Sequence, residues 1–173
     1  MRFQSQALAL AAALASFGAA QAAAPALNVT FVDAKTWTGD MLPAGQQCQR
    51  FMGKGAVPAL RVAGVPAGTT GIVLSLNDES SQRMNNGGHG VIRYAVTPAN
   101  GSVTLPSVPG ETDDLPAGVT PVKKHIASAF SGTGGAILPP CSGGRGNTYS
   151  VTLTATNDAG ASLATGRLVL GKY

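Results

Sequence analysis

The stretch "NDESSQRMNNGGHGVIRYAV", residues 77–96, opens on acids and sets Asp78 a short loop away from His89, which stands between Gly88 and Gly90. A carboxylate beside an imidazole favours the protonated ring, and an imidazolium donates a charge-assisted hydrogen bond to an anion. Glycines on either side carry no side chain and would let a ligand come close to backbone N–H groups. Both residues also have plainer readings. Asp78 is of the type that bonds backbone amides within its own turn, and His89 can be a polar residue that hydrogen-bonds locally where a strand begins. The second histidine, His125, follows Lys123 and Lys124 and reads as solvated. The tract "SGGRG" (142–146) is like a phosphate cradle, but no Gly-Lys-Ser/Thr follows it, so Arg145 reads as a loop tip that could help steer an anion.

Catalysis finds little support in these residues. Serine hydrolysis needs a nucleophile, a base and an orienting acid within mutual reach. No Gly-x-Ser-x-Gly elbow is present, and Ser142 has no evident base unless His89 is near. No grouping of His and Cys supplies four zinc ligands, so neither a metal nor a cofactor is expected. The formal charge of +4 comes from scattered Lys and Arg, with only Lys123 and Lys124 adjacent. A nucleic-acid surface needs basic residues clustered with stacking aromatics, so nucleic acid is not an expected partner.

The front of the chain has a different job. Arg2 precedes the apolar run "ALALAAALASFGAA", and "AQA" then sets small residues at Ala20 and Ala22, the pattern of a secretory signal peptide over residues 1–22. The run falls short of the roughly 20 residues that span a bilayer as a helix, and no later segment is apolar enough. The expectation is an exported chain, periplasmic or secreted and not membrane-spanning, with one domain over 23–173. In an oxidising compartment its two cysteines, Cys48 and Cys141, are most simply a structural disulfide. An oxidised Cys141 also argues against a Cys–His hydrolase.

The elements that must position these groups read as strands. "LNVTFVD" (27–33) and "NTYSVTLTAT" (147–156) alternate with period two, the second placing Tyr149, Val151, Leu153 and Ala155 on one face. "GIVLSLN" (71–77) is nearly continuous and apolar, as suits a strand covered on both faces, and "GVIRYAVT" (90–97) and "GRLVLGKY" (166–173) complete the set. Only "KKHIASAF" (123–130) has a claim to a helical turn. Alternation makes Tyr149 a core residue whose hydroxyl could reach a cavity, and Trp37 reads as core near the first strand. The fold class is therefore mainly β, a single-domain β-sandwich with few or short helices. Its longest loops, 78–89 and 131–146, hold the chemically distinctive residues, and long loops on a strand scaffold are functional or mobile.

Three stretches in this order resemble the phosphatidylethanolamine-binding protein family, in its bacterial Raf-kinase-inhibitor-like branch. They are "CQRFMGKGAVPALRVAGVPAGTTGIVLSLND" (48–78), "HGVIRYAVTPA" (89–99) and "LPPCSGGRGNTYSVTLTAT" (138–156). The first is similar to the family's Pro-x-Gly-Thr turn feeding an apolar strand that ends in aspartate. The second is similar to its His-x-Val strand, and the third to its proline-cysteine loop followed by a strand opening His-x-Tyr. The resemblance implies a small anion-accepting cavity at the sheet edge, built from Asp78, His89 and the loop around Pro140 and Cys141, with Asn147 and Tyr149 opening the following strand. A phosphate-like headgroup is the implied ligand, and a Cys48–Cys141 bond would pin one cavity wall.

The departures from the family pattern are specific. Asp78-Glu79-Ser80-Ser81 lacks the prolines and second aspartate of the family loop, and Asn147 stands where a second histidine is usual. Gly90 replaces an aromatic residue, and Leu138-Pro139-Pro140 replaces glycines. Two functions follow as expectations. One is a non-catalytic binder of a small anion. The other is a structural or interaction module that keeps the sandwich and has lost the cavity.

Overall fold

The computed structural model describes residues 25–127 and 134–173. The leader assigned to residues 1–22 lies outside them. Ten strands make up nearly all the regular structure: β1 (Asn28–Phe31), β2 (Ala56–Val57), β3 (Leu60–Ala63), β4 (Gly71–Asp78), β5 (Val91–Ala95), β6 (Ser102–Leu105), β7 (Val108–Pro109), β8 (Val119–Lys123), β9 (Thr148–Thr156) and β10 (Ser162–Lys172). One 3₁₀ turn, Gln49–Phe51, precedes β2.

Burial explains which sequences became which strands. β4 is the centre of a five-stranded antiparallel sheet ordered β10-β9-β4-β5-β8; Val73 and Ser75 on its outer face are half-buried, so the strand expected to be covered on both faces is fully covered on one, and that face is the apolar one. Ile72, Leu74 and Leu76 are accordingly buried. β1, β3 and β6 form a second, three-stranded sheet, and β2 pairs with β7. Leu60, Val62 and Leu105 from the smaller sheet share one apolar core with Ile72, Leu74, Ile92 and Leu153 from the larger, so the molecule is a β-sandwich. In β1 the alternation holds: Val29 is buried while Asn28 and Thr30 are exposed.

One expectation changes. The proposed helical turn at 123–130 is not helical where it is described: Lys123 is the last residue of β8 and residues 124–127 are irregular, while 128–130 fall outside the described residues. Pairing of β8 with β5 outweighed the local pattern. The short strands β2, β3, β6 and β7 also lacked a clear sequence signal, because four residues or fewer between prolines and glycines leave no periodicity to read.

Cys48 and Cys141 form a disulfide across a sequence separation of 93 residues. No helix among the described residues is long and apolar enough to cross a membrane.

Candidate functional site

The antiparallel register of β4 and β9 sets Asp78 directly opposite Tyr149. His89 stands just ahead of β5, the other neighbour of β4, and its backbone N–H donates to the Leu76 carbonyl (3.2 Å). Three strand ends in adjacent positions thus bring a carboxylate, a phenol and an imidazole to one edge of the sheet. The His89 and Tyr149 rings meet edge to face, with centroids 5.3 Å apart and planes at 88°. All three residues are buried, and with Asn147 they line a cavity of about 240 Å³.

The hydrogen bonds define what each group has left to offer. Asn147 Nδ2 donates to Asp78 Oδ2 (2.7 Å), and the Ser80 N–H donates to Asp78 Oδ1 (3.0 Å). Asp78 therefore bonds an amide of its own turn, as its plainer reading has it, and also lines the cavity. His89 Nδ1 lies 2.9 Å from the Leu138 carbonyl. A carbonyl only accepts, so Nδ1 carries the proton and the neutral ring keeps Nε2 as its acceptor. Tyr149 accepts the Cys141 N–H (3.1 Å), and its hydroxyl also bonds the Asp78 and Ser142 side chains.

Electrostatics modify the sequence argument. Burial holds the His89 imidazole below its ordinary range, and this outweighs the Leu138 carbonyl and the Asp78 charge, which both act in the opposite sense. The neighbouring carboxylate was expected to favour imidazolium; desolvation of a ring enclosed by the sheet edge wins instead. Burial likewise raises the Tyr149 phenol, with the Asp78 charge adding to the effect. Positive charge comes from elsewhere: Arg83 and Arg145, both exposed, are part of the lining, as are Ser142, Met84 and Leu138. With His89 neutral, two guanidiniums against one carboxylate leave the cavity cationic.

The glycines beside His89 serve packing. A Cβ on Gly90, whose φ is +115°, would stand 2.3 Å from the Ala136 carbonyl oxygen, and one on Gly88 would meet Met84 Cα at 2.4 Å. Their N–H groups donate to Gly87 and Asn85 carbonyls, so they are not open to a ligand as the sequence suggested. Pro140 is buried and lies outside the cavity lining; its carbonyl accepts the Cys48 N–H (3.0 Å) and ties the loop to the disulfide. Ser142 is buried and donates to the Tyr173 carbonyl.

His125 corrects another expectation. It is half-buried, its Nε2 lies 3.3 Å from the Gly134 carbonyl, its Nδ1 is buried without a partner, and its charge bears on His89. Nothing in "KKHIAS" signals this, because the surroundings come from residue 134 and from the strand entrance at 88–89. Arg83 was also missed. It sits in a polar tract with no pattern, and only the turns over 81–88 carry it to the cavity.

No family model matches the chain, and no curated protein matches its sequence. Solved structures do. A putative phosphatidylethanolamine-binding protein homologue, CT736 from Chlamydia trachomatis, aligns over 86% of this chain and 97% of its own, with a TM-score of 0.53 at 19% identity. YbcL from E. coli, described as a new member of the mammalian phosphatidylethanolamine-binding protein family, aligns over 85% and 97%, with a TM-score of 0.53 at 20% identity. The chain has the fold of these proteins.

Proposed function

With a phosphatidylethanolamine-binding-protein fold as the frame, we propose that the chain is an exported, non-catalytic binder of a small anion with a phosphate-like headgroup. The observation that carries this reading is the convergence of Asp78, His89, Asn147 and Tyr149 on one cavity whose remaining charges are the guanidiniums of Arg83 and Arg145. An anion there meets the Tyr149 hydroxyl and the arginines at once. If a second proton enters at His89 Nε2, the ring becomes one more charge-assisted donor. The oxidised Cys141 and a Ser142 hydroxyl committed to a backbone carbonyl leave neither as an activated nucleophile. The leader pattern and the disulfide support export to the periplasm or medium; a mature N-terminus at Ala23 would match that reading.

A second reading has its own observation. Asp78, Asn147 and His89 Nδ1 already bond one another or the backbone, which suits a self-satisfied sheet edge in a structural or interaction module. Sulfate, whose charge is constant from pH 5 to 8, separates the two. Under the binding reading, imidazole nitrogen resonances of His89 shift with millimolar sulfate or phosphate. Sulfate affinity then rises as pH falls below about 6.5, since the bound anion favours a ring that is otherwise neutral. An unchanged His89 spectrum at millimolar anion would favour the interaction module.

A further inference from the structure

The turn that carries Cys48 is built to hold an apolar side chain out into solvent. The Cys48 carbonyl accepts from both Phe51 N–H (3.0 Å) and Gly53 N–H (3.1 Å), and Gln47 Nε2 donates to the Phe51 carbonyl (3.0 Å). Gly53 is packed so closely that a Cβ would lie 1.9 Å from the Gln47 carbonyl oxygen. Out of this fixed turn projects Met52, 95% exposed, where the other exposed large hydrophobic residues range from 36% to 63%. Its φ is +62°, in the left-handed region; of the four described non-glycine residues at positive φ, two are asparagines, which tolerate it. A methionine in that conformation is strained, and a side chain 95% exposed has no packing reason inside the molecule.

The charge around it has one sign. Arg50 and Lys54 flank Met52 and are exposed, and so is Arg145. The disulfide joins this turn to the 141–146 segment. A Cβ on Gly143 would lie 2.7 Å from Phe51 Cζ, so the two segments share one surface. Neither 46–56 nor 141–147 contains Asp or Glu. Glu111, which touches this turn, is buried, and its Oε2 accepts the Gln49 N–H (2.7 Å).

We propose that this ledge, with Met52 at its tip and Arg50, Lys54 and Arg145 around it, docks the protein on an anionic lipid surface. An apolar side chain entering the headgroup boundary within a ring of cations is the combination that interfacial binding uses. A purely electrostatic contact with an acidic protein would give Met52 nothing to do. The ledge shares Arg145 with the cavity lining, and His89, which lies in the cavity and not on the ledge, separates the two in the test.

Vesicle binding by the full chain tests it, using Met52→Trp as a reporter, since Trp37 is buried and contributes a constant background. At low ionic strength the introduced indole's emission moves to the blue with vesicles of phosphatidylcholine and phosphatidylglycerol, and stays put with phosphatidylcholine alone. Replacing Arg50, Lys54 and Arg145 together by Gln weakens anionic-vesicle binding about fivefold per charge, on the order of 100-fold in all. His89→Gln leaves vesicle binding as it was. An unmoved indole, equal response to neutral vesicles, or full binding by the triple variant would overturn the proposal. So would loss of binding in His89→Gln, which would move the contact into the cavity.

Discussion

The loop between β4 and β5 and the segment leading into β9 both wall the cavity, yet they are held by opposite means. The first is organised by itself: Met84 and Asn85 N–H donate to Ser81, Gly88 to Asn85, and Gly90 to Gly87, all within residues 78–90. The second is held from a distance. Glu111 donates to the Ile137 carbonyl, Leu138 to the His89 carbonyl, Cys48 to Pro140 and Gly146 to Tyr173, with the Cys48–Cys141 bond as the covalent link. A wall made of local turns can form as soon as its residues are joined. A wall made of long-range contacts exists only once the sheet does, which is where a cross-link constraining the unfolded chain has most effect.

Breaking the bond is the most severe way to separate the walls. The double change Cys48→Ser and Cys141→Ser should cost about 4 kcal/mol in the entropic account of a loop this long, measured by urea unfolding. Amide exchange should rise across 136–147 and stay unchanged across 81–88; a uniform rise would erase the distinction. Gly90→Ala comes next, at about 3 kcal/mol, because it combines a strained positive φ with a clash against the Ala136 carbonyl where the two walls touch.

Asn77→Ala reaches the first wall alone. The buried amide accepts the Gly87 N–H (2.7 Å) and donates to Thr152 Oγ1 (3.2 Å), so its loss should cost about 1–3 kcal/mol while leaving Cys141 protected from reductant. Tyr149→Phe removes the acceptor for the Cys141 N–H together with the hydroxyl's bonds to Asp78 and Ser142, and should cost about 1–3 kcal/mol, read as a drop in denaturation midpoint.

The smallest effect is a slope. The folded state holds His89 below its usual 6.5, so the unfolded chain takes up that proton first. Stability from this group is whole above pH 6.5 and declines as pH falls from there toward the lowered folded value. His89→Gln should flatten the slope in that window. Glu79 acts in a separate, more acid one. Burial raises its pKa, but hydrogen bonds from Arg167 and Ser150 outweigh that and set the carboxyl below its usual 4.5, so its contribution is lost as pH falls below 4.5.

The same contrast governs what could be read in advance. Tyr149 was legible because β9 is long enough to show its period, and β4's nearly continuous apolar run announced a central strand with Asp78 at its end. The likeness of "HGVIRYAVTPA" to a known strand marked His89. Arg83 and His125 were not legible, for their places depend on turns and on residues far along the chain. The state of His89 was misread from its neighbour's charge, since burial is a property of the assembled edge. The bond from the Asn147 amide to Asp78 was not legible either, since it depends on how two distant strand ends meet.

The amino-acid order by itself determined a β-rich chain with paired cysteines and polar groups at its strand ends, because alternation and turn chemistry act over a few residues. Only the tertiary structure decided that those ends share one edge, that the imidazole there is neutral, and that Met52 stands in water among cations. Such outcomes depend on desolvation and on contacts between distant residues, which arise only when the two sheets close on each other.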